Sequence, residues 1–123
     1  MRPEERDPAH LWDMLDAARA VVEFVEDLTL EEFLAPGRDR EITRMAVERK
    51  LEILGEAARR VSDAFRNEHR EIPWKAIVGL RNVISHQYDK VNYAAIYDVV
   101  HEQIPELITQ LDPLVPPAPQ LKE

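Results

Sequence analysis

The chain has 123 residues, with 24 acidic against 16 basic side chains, a net charge of −8 and a pI near 5.0. That length suits one domain around one core, and the absence of cysteine excludes disulfides, thiolate metal sites and cysteine nucleophiles. No apolar run approaches the ~20 residues of a membrane-spanning helix, and the polar first seven residues predict no secretory signal, hence a cytoplasmic protein that meets no membrane.

Three glycines in the whole chain and no alternating β-branched run predict helix throughout. Asp7-Pro8 reads as an N-cap followed by proline at the first helical position. Leu11, Leu15, Ala18, Val22 and Val25 then recur at steps of four and three, with Trp12 read as a core anchor beside that stripe. Thr29 to Glu32 spells a capping box that opens one short turn, closed by Pro36-Gly37. A long helix is predicted over 39–67. Its apolar stripe is Val47, Leu51, Leu54, Ala58, Val61 and Phe65, and Gly55 with its alanine neighbours leaves room for another helix to approach. A third helix should start at Pro73-Trp74, Trp74 serving as a second anchor, and a fourth should run over 92–111 with a kink near Gln103 forced by Pro105. The fold class that follows is all-α: an antiparallel four-helix bundle over residues 1–111, with one extra helical turn, and an extended or disordered proline-rich tail over 112–123.

The acidic balance disfavours non-specific duplex binding, because such binding draws most of its affinity from phosphate neutralisation. Contact with nucleic acid therefore needs a local basic site, and one stretch supplies candidates: Arg81, Asn82, Ser85, His86 and Tyr88. Spacings of four and three place Arg81, Ser85 and Tyr88 on one helical face, with Asn82 and His86 on the adjacent one. Arg81 and His86 are five apart, which on a regular helix separates them by roughly 140°. They meet only if the helix ends near His86 or a second copy of the chain supplies the partner group. The residue types suit phosphoryl chemistry on RNA. A histidine can take a proton from a ribose 2′-hydroxyl or return one to a leaving 5′-oxygen, and an arginine fork matches phosphate oxygens. Asn82 can orient either group, and none of this calls for a metal or a cofactor. His10, His69 and His101 read as surface or cap residues, and Arg38, Arg40, Arg44, Arg59 and Arg60 as solvated helix faces. Glu48, Glu52 and Glu56 have metal-ligand spacing, but no Glu-x-x-His accompanies them.

The hexapeptide from Arg81 to His86 resembles the Arg-polar-x3-His signature of the HEPN superfamily (higher eukaryotes and prokaryotes nucleotide-binding). Extended to Tyr88, it is similar to the motif of the HepT toxin branch. The segments 46–58 and 72–82 carry the resemblance over most of the chain. The resemblance implies a helical homodimer with both Arg–His motifs in a cleft at the two-fold interface, acting as a metal-independent endoribonuclease. It further implies a MntA-type minimal nucleotidyltransferase antitoxin that neutralises the toxin by adding AMP to Tyr88. Arg81 and His86 would be catalytic, with Asn82, Ser85 and Tyr88 supporting. The alternative is a non-catalytic helical dimer that binds or scaffolds a nucleotidyltransferase or a nucleotide.

Overall fold

A computed structural model describes residues 2–84 and 91–117. Among them there is helix and no strand: a 3-10 turn Pro3–Arg6, then α1 (Asp7–Val25), α2 (Leu30–Phe33), α3 (Arg38–Arg60), α4 (Asp63–Glu68), α5 (Trp74–Val78), α6 (Leu80–Ile84), α7 (Tyr93–Glu102), α8 (Ile104–Leu111) and a 3-10 turn Asp112–Leu114. The architecture is the expected all-α bundle. Its four columns are α1, α3, the broken pair α5–α6 and the broken pair α7–α8, with α1 against α3 as the principal packing.

The apolar stripes find their places. Leu11, Leu15, Ala18 and Val25 of α1 are buried against Val47, Leu51, Leu54 and Ala58 of α3, and Val100, Ile104, Leu107 and Leu111 close the core from the fourth column. Phe33 of α2 is fully buried between Tyr93, edge-on at 6.3 Å, and Tyr97 at 5.6 Å. The capping box forms as written, Thr29 Oγ1 accepting from the Glu32 amide while the Glu32 carboxylate accepts from the Thr29 amide, both at 3.1 Å. That carboxylate is held below the usual range, first by its hydrogen bond from the Thr29 backbone. Gly37, at φ 114°, occupies backbone space that other residues rarely adopt, and it turns the chain into α3.

Several sequence expectations need correction. Asp7 does not cap its own helix. It is the first residue of α1 after the 3-10 turn, and its buried carboxylate accepts from the amide and hydroxyl of Ser62, at 2.8 and 2.6 Å. That contact falls where the predicted long helix breaks. Val61 turns extended (ψ 138°), and Ser62 restarts the chain as the N-cap of α4, its hydroxyl accepting from the Phe65 amide. The third helix is likewise split at Gly79, and the fourth breaks at Gln103, as Pro105 requires. Trp74 is buried, but Trp12 is 39% exposed and lies outside the buried core. Arg44 is no solvated face: its guanidinium donates to the carbonyls of Phe33 and Ala35 and lies over the Tyr93 ring, tying α2 down on α3. Beyond Leu111 the chain makes one further 3-10 turn, and Leu114 and Val115 pack on the core.

Candidate functional site

The close approach of two columns creates the principal cleft. Gly55 of α3 is buried beneath α5, so near that a Cβ there would sit 3.2 Å from the Ile77 carbonyl oxygen. A side chain would hold the helices apart; glycine lets them meet. Above this contact a cleft of ≈ 820 Å³ opens between α3, which lends Glu48, Arg49, Glu52, Glu56 and Arg59, and α5–α6, which lend Val78, Arg81 and Ile84.

Each carboxylate on the α3 side has a partner. Glu56 accepts from Arg59 at 2.6 Å and from Arg60 at 3.2 Å, which lowers its pKa, the Arg59 hydrogen bond contributing most. Glu52 faces Arg49 at 3.5 Å. Glu48 accepts from the Tyr93 hydroxyl at 2.9 Å; burial first, then this carboxylate, pushes that phenol up to about 12. The three glutamates are thus committed to organic partners, and among the described residues no group of three or more His, Asp or Glu converges to hold a metal ion.

Arg81 is different. It is exposed on α6, lines the cleft, and among the described residues has neither an ion pair nor a hydrogen bond through its guanidinium. Opposite it stand carboxylates that already have partners, so among the described residues its positive charge is unpaired. Asn82 is exposed beside it, its backbone N–H donating to the Gly79 carbonyl at 2.9 Å across the α5–α6 break. Ser85, His86 and Tyr88, the remaining members of the motif, lie outside the described residues.

Of the other histidines, His69 caps the C-terminus of α4 and stacks on Phe65 at 4.4 Å, while the exposed His101 stacks on Tyr97 at 4.0 Å. Two features escape a reading of the motif alone. One is the Tyr93–Glu48 bond, which ties the start of α7, the first helix after the motif, back onto the cleft wall. The other is the set of basic residues around α4 and α5, Arg66, Arg70 and Lys75, whose scatter in sequence gives no signal until the fold gathers them in one notch.

Comparison with known proteins places the chain in a family. Residues 14–114 match the family model described as "Ribonuclease HepT-like". A Methanocaldococcus jannaschii protein named "Putative RNase MJ1380" is 36% identical over 104 residues, covering 85% of this chain and 92% of that protein. A Thermococcus cleftensis protein named "Probable ribonuclease HepT" is 34% identical over 98 residues, covering 80% of this chain and 86% of that protein. A Caldanaerobacter subterraneus protein named "Putative RNase TTE0752" is 36% identical over 102 residues, covering 83% and 88% respectively. No solved structure matches the chain at a comparable level. With its helical bundle, its Arg–x4–His–x–Tyr segment and a family match over most of its length, the chain belongs to the HepT-like ribonuclease family.

Proposed function

We propose that this chain is a metal-independent endoribonuclease, the toxin of a toxin–antitoxin pair, acting in the cytoplasm on RNA. The observation that carries the reading is the Arg81 guanidinium, left without a partner among the described residues in a cleft whose carboxylates are all engaged. Such a group costs little to bring against a phosphodiester, because no internal ion pair has to be broken first.

In the proposed reaction the ribose 2′-oxygen attacks the adjacent phosphorus and the P–O5′ bond breaks, leaving a 2′,3′-cyclic phosphate and a 5′-hydroxyl. His86 accepts the 2′ proton or donates one to the departing 5′-oxygen. Arg81 binds the phosphate and stabilises the charge that builds on its oxygens. Asn82 orients, with Ser85 and Tyr88 supporting. Because a regular helix would turn residues five apart away from each other, and the family resemblance implies a site at a two-fold interface, we place Arg81 and His86 together between two copies of the chain, in a homodimer.

A MntA-type minimal nucleotidyltransferase is the proposed antitoxin. Transfer of AMP to the Tyr88 hydroxyl would set an anionic phosphate next to Arg81, competing with RNA for the same guanidinium and filling the space it needs.

The test is cleavage of RNA by the purified, unmodified protein in EDTA. We expect cyclic-phosphate ends, and a rate loss of about 100-fold or more in Arg81→Ala and in His86→Ala. Variants that cut as well as the parent overturn the catalytic assignment. No cutting by the parent, with retained binding of the nucleotidyltransferase, establishes the non-catalytic scaffold instead.

A further inference from the structure

A second depression lies on the other side of α5. Its lining includes Arg66, Asn67, Arg70, Trp74 and Lys75, and it holds three cations and no carboxylate, in a chain where acids outnumber bases by 24 to 16. The notch is built, not incidental. Trp74 forms its floor, buried and fixed by the indole N–H donating to the His69 carbonyl at 2.9 Å, with Phe65 edge-on at 6.1 Å. Arg66 is held by the carbonyls of Val61 and Arg59. The nearby Glu71 carboxylate is engaged by His69 Nδ1 at 3.1 Å. Arg70 and Lys75 remain: both are exposed, and neither side chain has a hydrogen bond or ion pair among the described residues.

The notch and the Arg81 cleft are neighbours. Trp74 and Lys75 at one end of α5 line the notch, and Val78 at the other end lines the cleft; a five-residue helix is about 7.5 Å long. On the α3 side the Arg66 guanidinium of the notch is hydrogen-bonded to the backbone of Arg59, whose side chain lines the cleft. We infer that the notch is an RNA-backbone subsite, in which Arg70 and Lys75 take phosphates of the same strand whose scissile bond lies at Arg81. Even at the 3.4 Å rise of a stacked strand, the separating helix spans only about two nucleotide steps. This rests on the nuclease reading for the identity of the strand. An acidic protein surface would also satisfy two free cations, but it would not need them in continuity with the cleft.

The experiment measures binding of a labelled 12-nucleotide 2′-O-methyl RNA, which cannot undergo internal attack, together with cleavage of an unmodified 12-mer and of a dinucleotide. The test protein is Arg70→Glu/Lys75→Glu. The control, Arg38→Glu/Arg40→Glu, makes the same change in net charge at the start of α3. Circular dichroism checks that both are folded. We expect the test variant to bind the 12-mer about 10-fold more weakly than the parent, with the slope of log affinity against log salt shallower by about 1.4, two lost contacts at 0.7 each. The control should bind as the parent does. In cleavage, KM for the 12-mer should rise about 10-fold while the dinucleotide is cut at the parental rate. Equal binding by test variant and parent overturns the subsite, as does equal weakening in the control. A parent that binds the 2′-O-methyl strand through Arg70 and Lys75 but cuts neither substrate upholds the subsite and overturns the nuclease. A parent that ignores the strand but binds polyglutamate through the same two residues overturns the subsite in favour of a protein surface.

Discussion

The two walls of the Arg81 cleft are built on opposite plans. The α3 wall is a 23-residue helix backed by α1, and along it Arg49 pairs with Glu52, and Arg59 and Arg60 with Glu56, three or four residues apart. The α5–α6 wall is two five-residue helices separated at Gly79, and it presents Arg81 with no carboxylate of its own. A regular helix offers i,i+3 and i,i+4 neighbours to every charge and so tends to neutralise its own surface. On α5–α6 the positions three and four residues from Arg81, Ile77, Val78, Ile84 and Ser85, carry no carboxylate in the sequence. The uninterrupted wall pairs most of its charges with one another, and the interrupted one carries Arg81 with no ion pair among the described residues.

This contrast can be attacked where the first wall is fixed, where the walls touch and where they are tied. The largest effect is expected at Asp7. Asp7→Ala leaves the buried Ser62 amide and hydroxyl without their charged acceptor at the end of α3, and should cost about 3 kcal/mol of unfolding free energy in urea. Next, Gly55→Val drives a branched side chain into the Ile77 carbonyl and should cost about 2 kcal/mol. By parting the walls it should also impair RNA cleavage, whereas Asp7→Ala, at folding temperatures, should spare it. An unchanged stability in Gly55→Val would mean that the walls are not in close contact. The smallest effect belongs to the tie. Tyr93→Phe removes the hydroxyl bonded to Glu48 and should cost about 1 kcal/mol. Its pH dependence has a definite sign. The folded phenol titrates at about 12, above its ordinary 10.0, so the neutral hydroxyl is the stabilising form. Its contribution is complete below pH 10 and disappears as pH rises from 10 to about 12. Absorbance titration of phenolate should show a late-titrating component in the parent that Tyr93→Phe removes.

How much of this was legible beforehand differs between fold and site. The helical class, the buried stripes, the capping box and the break at Pro105 follow from local chemistry, and each appears at the residues that encode it. The break at Val61–Ser62 does not: an apolar period runs through it without interruption, and it exists because Asp7, 55 residues away, supplies an acceptor for the freed Ser62 amide. Trp12 was misplaced for a related reason, since spacing beside a stripe does not say how wide the buried face will be. At the site, Arg81 could be singled out from its motif, and its lack of an ion pair among the described residues could not. That depends on Glu48 being engaged by Tyr93 and Glu56 by Arg59 and Arg60.

The sequence by itself determined that the chain is helical, which faces are apolar, and which segment carries an arginine, a histidine and a tyrosine in register, because periodicity and capping act over a few residues. Only the tertiary structure decided where the helices break, which charges are spent on one another, and that Arg66, Arg70 and Lys75 share a notch beside the Arg81 cleft. Electrostatic pairing and packing act through space, and the neighbours that settle them are fixed only once the columns have come together.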